Sequence, residues 1–177
     1  MGLKLGFHLG FTGTSNRLTG LQKEVMRLVI PLAQTKLGRA VLHSGDCIEA
    51  DAEAHWIATN SNFYTVGHIP DSDRFRAFCK YDEERDSLPY LKRDRNIAKE
   101  CQCLLATPNQ YHEIRRGSGT WATIRYAKEF EKNVVIVFPD GSVKVTGKGE
   151  SDIISEGLWR LAEAGKISEI SLDVSIQ

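Results

Sequence analysis

The stretch "RRGSGTWATIRYAKEF" places two arginines and a Gly-Ser-Gly-Thr turn at the mouth of an amphipathic helix. Free N–H groups at a helix start carry partial positive charge, so a phosphate there meets oriented donors and a favourable dipole. Arg115 and Arg116 would add charge-assisted hydrogen bonds, and Gly117, Ser118, Gly119 and Thr120 would form the turn. A second short polar loop, "TGTSN", offers Gly13 for close backbone approach and Thr12, Thr14, Ser15 and Asn16 as small polar groups. A G-x-G-T turn alone is weak, because glycines also make ordinary turns and Ser118 or Thr120 can be plain helix caps. Two such loops at strand ends point more firmly to a phosphate. Carboxylates cluster nearby in "GDCIEAD". Asp46 and Glu49 could meet a ribose hydroxyl, act as an acid or base, or only shape a turn, while Asp51 suits the first turn of the helix that follows.

Positioning these loops requires strands that end together, and short apolar runs alternating with helical patterns supply them in the manner of βαβ units. The first strand is "LKLGFHLGFTG", with Leu3, Leu5, Phe7, Leu9 and Phe11 on one face and Gly6, His8 and Gly10 on the other, where a helix can approach closely. Thr19 and Gln22 have capping-box spacing ahead of Val25, Leu28, Val29 and Leu32, a helical stripe kinked at Pro31. "RAVLHSG" is a second strand, "ADAEAHWIATN" a helix with His55 and Trp56 packed inward, and "FYTVGHI" a third strand. Pro70 to Pro89 reads as a long polar connection whose Phe75, Phe78 and Tyr81 suit a lid or a dimer contact. "YLKRDRNIAKEC" is a helix, "QCLLATP" a fourth strand, Thr120 to Phe130 a helix with Trp121 in the core, and "VVIVF" a fifth strand covered on both faces. "PDGSVKV" marks a hairpin-like turn, Ile154, Leu158, Leu161 and Ala162 a final helix, and "ISEISLDVS" a closing strand. The expected fold is α/β: a Rossmann-like, doubly wound, mostly parallel sheet with helices on both faces. In such a sheet, ligands sit beyond the carboxyl ends of the strands where strand order reverses.

Bulk properties narrow the partners. The 177 residues suit a single domain, a core over about 3–140 with an extension over about 141–177, and no linker divides it. Lys+Arg of 23 balances Asp+Glu of 23, which gives no global field for nucleic acid or an anionic membrane. The N-terminus lacks signal-peptide features and no run is long enough to span a bilayer, so a soluble, cytoplasmic protein is expected. Cys47, Cys79, Cys101 and Cys103 show no C-x-x-C spacing; reduced, largely buried thiols are expected, with neither a metal nor a resident cofactor.

Three segments together resemble known families. "LHSGDCIEADAEAHWIA" resembles the S-G…G-I-D-x-x-A-H segment of the DNA-processing protein A family, with Ser44, Gly45, Ile48, Asp51, Ala54 and His55 at matching positions and Glu49 and Ala50 departing from it. "RDRNIAKECQCLLATP" resembles that group's R-N-R-x-I-A segment and the R-K-x-x-M segment of the LONELY GUY phosphoribohydrolases. "RRGSGTWAT" resembles the latter's P-G-G-x-G-T-x-x-E, with Gly117, Gly119 and Thr120 matching. Order and spacing over roughly residues 5 to 140 resemble the SLOG superfamily, which joins both groups. The resemblance implies a nucleotide-type ligand, a place for Gly45 and Arg95 in its site, and a dimer. It also exposes a departure. The phosphoribohydrolases use an arginine, best matched by Arg95, and the motif's final glutamate, which here is Thr123. Threonine supplies no carboxylate to steady oxocarbenium charge or assist water.

Two function classes therefore stand. The first is binding of a phosphorylated nucleoside-like small molecule by a sensor, carrier or sequestering protein; the resemblance includes SLOG domains of conflict systems, which suggests cyclic ADP-ribose-type signals. The second is hydrolysis of the N-glycosidic bond of a nucleoside phosphate, with Asp46, Glu49 or Asp51 standing in for the glutamate beside Arg95. Zero net charge, with no basic run beyond "LKRDR" and "IRR", argues against nucleic acid.

Overall fold

A computed structural model describes residue 2, residues 4–147 and residues 152–174. Leu3 and Ser175, read above as strand residues, lie outside the described residues. The strands are β1 (Leu5–Gly13), β2 (Arg39–Ser44), β3 (Tyr64–Pro70), β4 (Glu83–Leu88), β5 (Cys103–Thr107), β6 (Asn133–Val137), β7 (Val143–Gly147) and β8 (Ile170–Val174). The helices are α1 (Gly20–Val29), α2 (Ala50–Asn60), α3 (Tyr90–Glu100), α4 (Gly119–Glu129) and α5 (Ile153–Glu163). All eight strands form one sheet, ordered β4-β3-β2-β1-β5-β6-β7-β8. Each neighbouring pair is parallel except β6 with β7.

Strand alternation splits the core between the two sides of the sheet. Leu9 and Phe11 of β1 and Val135 and Val137 of β6 face one cluster with α1, α2 and α5, while Leu104, Val134 and Ile136 face another with α3 and α4. Both faces of "VVIVF" are thus covered. On the second face Gly10 has no side chain and lies against Cys101, the residue that ends α3; a Cβ there would collide with the cysteine. The expected capping box forms: Thr19 accepts from the N–H of Gln22, whose side chain accepts from the N–H of Thr19. Helix α1 stops at Val29, and Pro31 sits in a 3-10 turn over Ile30–Ala33.

Two expectations fail here. The stretch from Pro70 to Pro89 is not a single irregular connection, because Glu83–Leu88 pairs with β3 as the edge strand β4. "EERDSL" has no apolar alternation because an edge strand has little to bury, so its pattern is silent. Trp56 is exposed and not packed inward, whereas His55 meets the edge of Tyr81 at 4.7 Å between ring centres. Between β3 and β4 the chain is fastened to the loop after β2: Phe75 accepts from the N–H of Ile48 at 2.9 Å, and Ala77 donates to the carbonyl of Asp46 at 2.8 Å. All four cysteines are free, with Cys101 and Cys103 buried and Cys47 and Cys79 half-buried. No helix among the described residues is long and apolar enough to cross a membrane.

Candidate functional site

Strands β1 and β5 are neighbours at the point where order reverses, and their connections leave toward opposite faces of the sheet. Beyond their carboxyl ends opens a cavity of about 690 Å³. The loop after β1 is tied down on both sides: Thr14 donates to the carbonyl of Thr107 at 3.1 Å, and its own carbonyl accepts from Ala50 at 3.3 Å. Gly13 is required by crowding, since a Cβ would overlap Ala50 and the Thr107 hydroxyl. Gln22, fully buried, donates to the carbonyls of Pro108 at 2.7 Å and Val137 at 3.0 Å, and so sets where the chain leaves β5.

The second loop forms the rim. Gly117 has a φ of 77°, a conformation that side chains resist. Ser118 caps α4 by accepting from the N–H of Trp121 at 3.3 Å, and Gly119 and Thr120 of the first turn line the cavity. Trp121 is buried, and its Nε1 donates to Gln110 at 3.1 Å, pinning the loop before the helix. Arg115 and Arg116 are exposed on the cavity wall, and neither guanidinium has an ion pair among the described residues. Arg125 stands beside them, held by Glu113 at 3.0 Å and the Ile114 carbonyl at 3.2 Å.

The floor is a buried ionic cluster. Arg93 of α3 lies 3.3 Å from Asp94 through Nε and 3.9 Å from Asp51 through Nη1, and its Nη2 points to the Cys47 sulfur at 3.5 Å. The Nε contact is an ion pair without hydrogen-bond geometry, which leaves that buried donor without an acceptor. Burial works against the charge of Arg93, but Asp94 and Asp51 outweigh it and hold the guanidinium above its ordinary pKa. Burial also pushes both carboxyls up to about 6, despite the opposing pull of Arg93. Burial raises the Cys47 thiol to about 11, so it sits in the wall as a neutral group. The arginine fits only because residue 45 is glycine: a Cβ on Gly45 would fall on Arg93 Nη1.

The cavity brings together Thr12, Gly13, Thr14, Ser15, Asn16, Asp51 and the whole of Arg115 to Thr120. Gly45, Asp46, Glu49 and Arg95 do not line it. Gly45 acts beneath Arg93, and its N–H donates to Asp51 at 2.9 Å. Asp46 is buried, accepts from Arg76 Nε at 2.8 Å and Cys79 N–H at 2.9 Å, and so pins the segment before β4. Glu49 is exposed at the start of α2 and accepts from the N–H of Leu18 at 3.4 Å. Asp51 Oδ2 is engaged by the N–H groups of Gly45 and Cys47. Arg95 pairs with Glu129 at 2.9 Å on the exposed side of α3 and α4, over the rings of Tyr126 and Phe130.

No family model matches the sequence, and no curated protein matches it either. Solved structures share its fold. The molybdenum cofactor binding protein of the phototrophic bacterium Rippkaea orientalis is 16% identical over 93% of this chain and 88% of its own, at a TM-score of 0.57. The molybdenum cofactor carrier protein of Chlamydomonas reinhardtii is 19% identical over 96% of this chain and 90% of its own, with a TM-score of 0.53. DNA processing protein A of Helicobacter pylori, which binds single-stranded DNA, is 20% identical over 93% of this chain and 75% of its own, also at 0.53. The chain shares the Rossmann-like α/β fold of these proteins. At these identities the likeness is one of architecture, and the site has to be argued from its own residues.

Within this fold the side chains of α3 that reach the cavity are Arg93 and Asp94, not the expected Arg95. Arg93, Asp94, Ile97 and Ala98 form the buried face of α3, whereas Arg95 is rotated out of it. The signal was present in helical spacing: Ile97 lies four residues after Arg93 and three after Asp94, so an apolar anchor shares their face. Thr123 is fully buried on α4 and donates to the Gly119 carbonyl at 2.8 Å. Its hydroxyl also acts on Asp94, drawing that carboxyl's pKa down against burial. A carboxylate from α3 thus reaches the Thr123 position.

Proposed function

We propose that the cavity binds a phosphorylated, nucleoside-like small molecule, with phosphate on the Arg115–Thr120 rim and the sugar toward Thr12–Asn16. The observation that carries this reading is the pair of unpaired rim arginines beside the first turn of α4. Phe75, Tyr90 and Tyr126 also line the cavity and offer faces for a flat heterocycle. The volume of about 690 Å³ suits a ligand of nucleotide size. A molybdenum cofactor, as in the carrier proteins above, would present related phosphate and ring chemistry. The test is mass spectrometry of small molecules released from purified, denatured protein, followed by calorimetry. A nucleoside monophosphate should bind more tightly than its nucleoside, and a short single-stranded oligonucleotide should compete weakly or not at all. Equal affinity for nucleoside and nucleotide would sink the phosphate assignment.

One observation favours the hydrolytic reading enough to test it. Asp94 lines the cavity, contacts Thr123, and is raised by burial to about 6, within the range useful to a general acid. Release of free base from nucleoside monophosphates by the natural protein, lost in Asp94→Asn, would make it a hydrolase. Absence of release with retained nucleotide binding leaves the binding reading in place.

A further inference from the structure

A second cluster, outside the cavity lining, lies on the α3 face of the sheet. His8 of β1, His43 of β2 and His68 of β3 form a row across three adjacent strands, and the end of α3 brings Glu100 over it. His8 Nδ1 and His43 Nε2 are 2.8 Å apart, His43 Nδ1 and His68 Nε2 are 3.1 Å apart, and His43 Nδ1 is 3.7 Å from Glu100 Oε2. His43 and His68 are almost completely buried, while Glu100 is about 32% exposed. We propose that His43 Nδ1, His68 Nε2 and Glu100 form a binding site for a zinc-type divalent cation, with His8 positioning the His43 ring.

Three features support this. First, one ligand atom from each of the three residues lies within 4.8 Å of the others. A tetrahedral ion with bonds of about 2.0–2.1 Å sets its ligands roughly 3.3 Å apart; the separations from His43 Nδ1, 3.1 Å to His68 Nε2 and 3.7 Å to Glu100, lie on either side of that size, and a turn of Glu100 closes the third. Second, the donor set of two imidazoles and a carboxylate suits zinc and its neighbours better than magnesium or calcium. Third, the His8 contact offers the outer partner that metal-bound histidines need: in the tautomer with its proton on Nε2, His43 donates to His8 Nδ1 and turns its Nδ1 lone pair toward His68 and Glu100. His68 needs only to carry its proton on Nδ1.

Arg85 opposes the cation. It now engages Glu100 at 2.8 Å and also pairs with Glu83. Being partly exposed on the edge strand β4, it can keep Glu83 when Glu100 turns to the metal.

The test uses the full chain freed of metal by chelation, then titrated with zinc by calorimetry and with cobalt by absorption. The expected result is saturable binding of one ion, with tetrahedral cobalt bands and no thiolate charge-transfer band. His68→Gln should abolish it and Glu100→Gln, at a partly exposed position that tolerates the change, should weaken it at least about tenfold, while Cys79→Ser retains it. Lack of saturable binding to the natural chain, or binding unchanged by Glu100→Gln, overturns the proposal.

Discussion

The floor and the rim of the cavity both carry arginine, but they treat the charge in opposite ways. On the floor, Arg93 is locked between Asp51 and Asp94 under protein that excludes water. On the rim, Arg115 and Arg116 stand exposed beside a glycine turn, with no ion pair among the described residues. A guanidinium held by buried carboxylates shapes a site and is costly to disturb; one facing water waits for an anion and contributes little to folding. The cavity is therefore a fixed base with a receptive edge. Folding energy and ligand affinity should separate along the same line.

The most forceful way to break that division is to empty the floor. Arg93→Ala leaves two buried carboxyls facing each other without a cation, and it should cost about 3–5 kcal/mol of stability, the range for a broken buried pair. Urea unfolding near neutral pH measures it. Adding Asp51→Asn and Asp94→Asn to that variant should recover a large part of the loss, because the stranded charges go with the arginine. A loss below about 1 kcal/mol, typical of surface pairs, would place Arg93 with the rim.

Acidity sharpens the comparison next. Burial raises Asp51 and Asp94 from 3.8 to about 6 in the folded protein, so the folded state holds protons that the unfolded chain has released. Their contribution to stability is fully present below pH 3.8 and is lost as pH rises through about 6. Each tenfold change in proton affinity is worth about 1.4 kcal/mol, so the effect is on the order of a few kcal/mol for the two carboxyls together. The stability difference between the natural protein and Asp51→Asn/Asp94→Asn should change across that window and be flat above it. A flat difference throughout would mean that the floor carboxyls do not titrate there.

The rim gives the converse result. Arg115→Ala/Arg116→Ala should leave stability within about 0.5 kcal/mol, as exposed substitutions do. It should nevertheless weaken a nucleoside monophosphate by about tenfold to a hundredfold, the worth of one or two charge-assisted hydrogen bonds. Calorimetry against the matching nucleoside checks the reading, because equal losses would show that these side chains do not read phosphate.

How much of this was legible in the residues differs between the same two regions. The rim could be read because glycine turns and helix starts are local: Gly117, Ser118 and Gly119 need only their immediate neighbours to explain them. Most of the fold was legible for the same reason, from the Thr19 capping box to the doubly covered "VVIVF". The floor depends on which turn of α3 faces the sheet and on a glycine nearly fifty residues away that makes room for Arg93. Two arginines in "KRDRN" look alike in composition, and only their phase relative to Ile97 separates the buried one from the one paired with Glu129. Edge strand β4 escaped notice because it has no apolar face to betray it.

Thr123 is where floor and rim meet, and it gives the smallest and most local test. Its hydroxyl donates to the Gly119 carbonyl, accepts from Thr12 at 3.4 Å and lies against Asp94, so one group touches both polar loops and the floor. Thr123→Val keeps the β-branched shape and removes only the hydroxyl. The variant should lose about 1 kcal/mol, the usual worth of a buried hydrogen bond. Asp94 should also titrate at higher pH than in the natural protein, because the Thr123 hydroxyl is one of the influences holding its carboxyl down. Carboxyl chemical shifts followed through a pH series report this directly. Should Asp94 keep its titration point while stability falls, Thr123 would serve the helix alone, and the floor would be uncoupled from the glycine turn at the rim.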